Sequence, residues 1–192
     1  MEEMTPMSLE KKRPDNKMIQ TKVIKGKGEE DFFLEADFSF PVPFFKIESV
    51  DTWVDVYDAT VINGNKVIFN AWVYKNVIYK VAEDATETDG VVTINGGIDH
   101  VTKRIPLAGC INIHLKDKER VCPEEDIAEV LEAYVIGDVE ENLYPDDIIN
   151  EDTNLPFVPT IKKYTGLHEK MCVRVAVKVV RWEHVEIEDR HC

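Results

Sequence analysis

Polar and apolar residues alternate with a period of two along much of this chain. The cleanest run is "MCVRVAVKVVRW", residues 171 to 182. Met171, Val173, Val175, Val177 and Val179 fall on one side, and Cys172, Arg174, Ala176, Lys178, Val180 and Trp182 on the other. That period is the mark of a strand in an antiparallel sheet with one buried face. The stretch "DFFLEADFSFPVPFFKI", residues 31 to 47, is rich in aromatic residues and also predicts extended structure. Its Pro41 and Pro43 suit a sheet edge or a strand entrance, because proline has no N–H to give to a ladder.

The most informative pattern is "WVDVYDATVINGNKVIFNAWVYKNVIYKV", residues 53 to 81. Asn-Gly between two alternating runs predicts a hairpin with a two-residue type I′ turn at Asn63-Gly64. Ile62 then faces Asn65, and every cross-strand pair sums to 127 in residue number. Val54, Val56 and Thr60 oppose Val73, Ala71 and Val67 on the inner face, with Asp58 misfitting opposite Phe69. The other face pairs Trp53 with Tyr74, Asp55 with Trp72, Tyr57 with Asn70 and Ala59 with Ile68, so it is half aromatic where water is expected. Either a second layer of the same chain covers Trp53, Tyr57, Trp72, Tyr74 and Ile78, or another copy does.

An acidic loop, "AEDATETDG", breaks the alternation. "VVTINGGIDHVTKRIPLAGCINIHL" then resumes it, as two or three short strands around Gly-Gly. His100 and His114 read as ordinary strand residues. Ile127, Val130, Leu131 and Tyr134 fit helical spacing behind Pro123, whereas Val130, Tyr134 and Ile136 with Val135 and Val139 allow a strand. The reading adopted is a strand from about 130 to 139, with a helical turn before it as an open alternative. In the loop beyond, residues 144 to 170, Asp146, Asp147, Glu151 and Asp152 lack the spacing of a calcium loop, so they are read as solvated.

Charge refines the domain picture. The 192 residues carry 37 acidic and 23 basic side chains, a net −14, which argues against nucleic acid as a partner. Residues 1 to 30 hold 7 of the basic and 6 of the acidic groups and little apolar material. They predict a polar N-terminal arm, flexible or bound to a partner, ahead of a single β domain at 31 to 188 and a tail at 189 to 192. Residues 18 to 26, "MIQTKVIKG", are extended enough to add as a strand to a neighbour. The start predicts no signal peptide and no run is long enough for a membrane span, so the expectation is synthesis in the cytoplasm without a membrane partner.

Candidate chemistry is sparse. Cys110, Cys122, Cys172 and Cys192 have no zinc spacing, and neither a metal nor a cofactor is expected. Cys192, on a tail expected to be mobile, and Cys172 are the candidates for an intermolecular disulfide. His168 and Cys172 stand four apart, roughly 13 Å along a strand, too far for a catalytic dyad. No nucleophile elbow, phosphate loop or carboxylate pair is evident, so the chain is expected not to be an enzyme.

From Phe40 to Ile113 the chain resembles the SPOCS domain of spore-coat assembly proteins from anaerobic, endospore-forming bacteria. The resemblance lies in Pro41-Val42-Pro43, in "VINGNKVI" at 61 to 68 with one residue inserted between Gly and Lys, in Val77-Ile78-Tyr79, and in His100 to Arg104 before Ile105-Pro106-Leu107, where Leu stands for Phe. It implies a β-rich module that builds a spore surface layer (coat, exosporium or surface filament), deposited there from the mother cell, with copies of itself and other spore-coat proteins as partners. A multi-domain member of that family ends in a LysM module that binds the coat's basal scaffold. This chain has no room for one, which favours a small self-associating subunit.

The expectation is therefore an all-β antiparallel sandwich with a polar arm, assembling through the Trp53, Tyr57, Trp72, Tyr74 and Ile78 face and through the arm. The alternative is a ligand-binding β-module that recognises a peptide or glycan on the same face, since exposed Trp and Tyr suit sugar rings too.

Overall fold

A computed structural model describes residues 16–115, 120–146 and 163–188. It is an antiparallel β-sandwich, without a helix among the described residues. The strands are β1 (Asn16–Phe44), β2 (Lys46–Ile62), β3 (Lys66–Lys80), β4 (Asp84–Thr88), β5 (Val91–Asn95), β6 (Ile98–Asn112), β7 (His114–Leu115), β8 (Asp126–Asp146) and β9 (Lys163–Glu188). One sheet, sheet A, has the order β7-β1-β9-β8. The other, sheet B, has the order β2-β3-β6, and β4-β5 form a separate hairpin.

The alternation at 171 to 179 predicts what is found: Met171, Val173, Val175, Val177 and Val179 are all buried between the sheets. β9 is central in sheet A, with β1 on one side and β8 on the other. Flanked in this way, Ala176 and Val180 on its outer face are buried as well. Val67, Phe69, Ala71, Val73 and Val77 answer from sheet B, and the edge of the Phe32 ring meets Phe69 with centroids 4.9 Å apart. Each fully buried Val or Phe contributes about 1.5–3 kcal/mol through area removed from water.

The boundary of the arm is corrected. Residues 16 to 30 belong to β1, which pairs with β9 from Asn16↔Glu188 onward. Polar residues alternating with Ile19, Val23 and other apolar positions suffice for a strand once β9 supplies the ladder, though they could not have formed a core alone. Residues 18 to 26 are therefore paired within the chain, and only residues 1 to 15 of the expected arm lie outside the described residues. At Pro41-Val42-Pro43 the β1–β9 register breaks, between Ser39 and Phe44; Phe44 still pairs with Tyr164, and the chain passes to sheet B after it, at Lys46.

The hairpin register is half as predicted. Asn63-Gly64-Asn65 form a three-residue turn, with φ of +84° at Gly64 and +58° at Asn65, so pairing begins at Ile62↔Lys66. Thr60 therefore faces Ile68 and Asp58 faces Asn70. A bulge at Tyr57 then absorbs one residue and restores the predicted pairs Val56↔Ala71, Asp55↔Trp72, Val54↔Val73 and Trp53↔Tyr74. The bulge also removes the expected misfit. Asp58 turns outward and accepts from Asn70 Nδ2 at 3.3 Å, while Ala59 takes the inner position opposite Phe69.

Two further expectations change. Asp84–Thr88 is a strand rather than a loop, closed by Asp89-Gly90, both at positive φ. β8 is a strand, as adopted, but runs from 126 to 146, and bulges at Leu131 and Ile136 shift its alternation. Those shifts are why its apolar spacing also fitted a helix. The helical alternative shrinks to one turn, in which Cys122 O accepts from the N–H groups of Glu125 and Asp126.

The sheets meet closely where β6 ends. A Cβ at Gly28 would lie 2.1 Å from Asn112 O, so only glycine lets β1 pass there. The opposite seam, where β8 runs beside β2, holds a charged group. Lys75 of β3 points inward and is fully buried, with its Nζ 2.6 Å from Glu169 of β9, 2.5 Å from Glu140 and 3.1 Å from Asp138, both of β8.

Candidate functional site

The outer face of sheet B gathers four of the five residues expected there. Trp53 and Tyr74 stand opposite each other across β2 and β3, their rings parallel within 4° and 5.0 Å apart. Tyr57, displaced by the bulge, stacks on Trp72 at 5.7 Å and 26°. From β6 the Arg104 guanidinium lies over the other side of this group, 4.2 Å from the centre of the Trp72 ring, and Pro106 faces Trp72 across the ladder. Such stacks and cation–π contacts each add about 0.5–1.5 kcal/mol beyond area burial.

Trp53 remains 46% exposed and Tyr57 56% exposed, while Trp72, Tyr74 and Ile78 are half-buried. Ile78 faces Ser49 and His100 across its neighbours, two steps along the same face from Tyr74, beyond Asn76, and outside the stacks. The second sheet packs on the opposite side of β3, so it does not cover these rings. Arg104 was missed by the sequence reading. It sits two residues before Pro106 with the parity of the outer face, a signal that becomes useful only once β6 is known to pair with β3.

β2 lines this face with acid. Asp51, Asp55 and Asp58 lie along the edge strand, and Glu48 is held below the usual carboxylate range by hydrogen bonding from Lys80, reinforced by Lys46. The face is thus acidic along the β2 rim and aromatic at its centre, with Arg104 on the β6 side.

The outer face of sheet A is different. Arg174 donates from Nε and Nη2 to Asp31, its direct cross-strand neighbour, and Lys178 and Lys22 both reach Glu129. His168 lies between Asp37, 2.7 Å from Nδ1, and Glu35, 2.8 Å from Nε2, and these carboxylates raise its pKa, Asp37 most. With both ring nitrogens engaged, His168 has none to offer Cys172, in agreement with the rejection of that dyad.

Cys172 is half-buried on this face, between Phe33 and Gly137. Cys192, and Asp147, Glu151 and Asp152 of the acidic loop, lie outside the described residues. Cys110 is the exposed thiol among the described residues, on the outer face of sheet B opposite Ile68.

Inside, Lys75 was also missed. The alternation that turns Val73 and Val77 inward turns Lys75 inward as well, and a lysine at a core position was the available signal. Burial raises the Glu169 carboxyl to about 7 against the opposing pull of Lys75. Comparison with family models, with curated proteins and with solved structures finds no match for this chain.

Proposed function

We propose that this chain is a non-enzymatic structural subunit that associates with copies of itself through the aromatic outer face of sheet B. The observation that carries this reading is the pair of stacks, Trp53 on Tyr74 and Tyr57 on Trp72, built on a sheet face that no other described part of the chain covers. Large aromatic groups left half exposed and held rigid by neighbours are what protein interfaces use as anchors. The resemblance to the SPOCS domain supplies the setting: a layer of the spore surface, with other coat proteins as further neighbours.

Assembly is favoured over glycan binding by how the rings are turned. A sugar stacks on an open ring face. Here the rings face one another, and Arg104 lies over Trp72. The arm contributes to this reading only through residues 1 to 15, since 16 to 30 are committed to β1.

Sedimentation velocity over a concentration series, with electron microscopy of the same samples, tests the proposal. Wild type is expected to form oligomers, filaments or sheets, and the Trp53→Ser, Trp72→Ser double variant a folded monomer. A wild type that stays monomeric at high concentration, or a double variant that assembles equally well, overturns it.

A further inference from the structure

We infer that the seam between the sheets is a site of self-catalysed covalent closure: an amide between Lys75 Nζ and a side-chain carboxyl of β8, Asp138 or Glu140, formed with Glu169 as the proton carrier. The starting observation is that a fully buried lysine on sheet B has three carboxylates of sheet A around its nitrogen, at 2.5, 2.6 and 3.1 Å. If all four groups were charged, the cluster would carry a net −2 around a nitrogen closed to water. Desolvation makes that state costly, and a buried ion pair rarely recovers the cost in full. Condensation removes one positive and one negative charge from the seam.

The geometry divides the roles. Glu169 is fully buried, and neither of its oxygens has a well-formed hydrogen bond, although Oε2 touches Nζ. Its carboxyl, with a pKa raised by burial to about 7, can take up and return a proton near neutrality. Asp138 and Glu140 keep side-chain exposures of 36% and 27%, so a departing water has a way out from either. Glu140 also stands directly opposite Glu169 across the β8–β9 ladder, which places the acid beside the acceptor.

The step balances without a co-reactant. Nζ gives one proton, through Glu169, to the β8 carboxylate, and the free amine attacks the carbon of the acid so formed. Glu169 then takes a second proton from the attacking nitrogen and gives it to the departing hydroxyl, ending as it began. One C–N bond forms, one C–O bond breaks, and one water leaves. Burial alone would lower the Lys75 pKa, but the carboxylates outweigh it and the net direction is upward, so the free amine is a minority species. A minority suffices, because fixed contact supplies a high effective concentration and the water is lost to solvent.

Intact mass of the full chain, measured after unfolding, tests this. Wild type held folded at neutral pH should be lighter by one water than its sequence, and Lys75→Arg and Glu169→Gln should have full mass. Proteolysis of wild type should yield one branched peptide in which residue 75, uncut by trypsin, is joined to Asp138 or Glu140. Full mass in wild type, loss of water without that branched peptide, or a link from Lys75 to Glu169 each overturns the proposal. Because the branched peptide is sought in wild type, the outcome does not depend on whether the variants fold.

Discussion

The two outer faces of the sandwich are finished in opposite ways. On sheet A, basic groups of β9 sit beside acidic groups of β1 and β8. Arg174 is paired with Asp31, Lys178 with Glu129, and His168 with Asp37 and Glu35, so the polar groups satisfy one another. On sheet B, aromatic rings stack in pairs under one guanidinium, with apolar area still open. Ion pairs of this exposed kind add little stability and discourage adhesion, because a partner would have to strip their water. Stacked rings half open to solvent do the reverse. Sheet A also leaves Phe33, Tyr134, Val139 and Trp182 exposed, so the faces differ in how their polar groups are paired and in whether their rings are stacked, not in the presence of open apolar area.

The largest effect should come from what joins these unlike sheets. Compared with the unlinked chain, Lys75→Ala leaves Glu169 buried without its cation and should cost about 3–5 kcal/mol in chemical denaturation, as breaking a buried pair does. The double variant Lys75→Met, Glu169→Leu should be more stable than Lys75→Ala, because no charge is left stranded. Equal losses would mean that packing, and not charge, holds the seam.

Next in size is Trp72→Ala, which removes a stack and the seat of Arg104. A stability loss of about 2–3 kcal/mol is expected from area and stacking together. Arg174→Met on sheet A should change the denaturation midpoint far less, with a difference from wild type that shrinks in added salt. If Arg174→Met proved as costly as Trp72→Ala, the contrast between the faces would fail.

The smallest effect is on pH. The folded state raises the His168 pKa above its ordinary 6.5, so this residue's contribution is full below pH 6.5 and fades as pH rises through the folded value. A midpoint series from about pH 6 to 9 should show a shallow fall in wild type; His168→Gln removes its share and leaves the part up to about pH 7 that the raised Glu169 carboxyl contributes. A rise over that range attributable to His168 would contradict the geometry of sheet A.

Much of this was legible in the sequence where alternation is regular. The inner face of β9 and the odd positions of β3 follow from side-chain period alone. The pairing of Trp53 with Tyr74 is predicted from a two-residue turn and holds because the bulge at Tyr57 offsets the extra turn residue. What escaped did so for identifiable reasons. A bulge changes parity without changing composition, so Tyr57, Leu131 and Ile136 blurred the patterns around them. Residues 16 to 30 are polar because both faces of their ribbon with the end of β9 are partly wet, and a strand whose partner lies so far along the chain gives no local signal. Lys75 was in plain view in an inward register, but its three acids come from strands far off in sequence.

The pairing of β1 with β9 has a mechanical consequence. Asn16 and Glu188 lie opposite each other at one end of the longest ladder among the described strands. A load that pulls these two positions apart meets the ladder's hydrogen bonds one after another, as in opening a zip. A load applied along the strands meets many at once. The chain is therefore soft to force entering at residues 16 and 188 and stiff to force along the strand axes. An assembly that must bear tension would couple its subunits through the sheet faces, and leave that end slack.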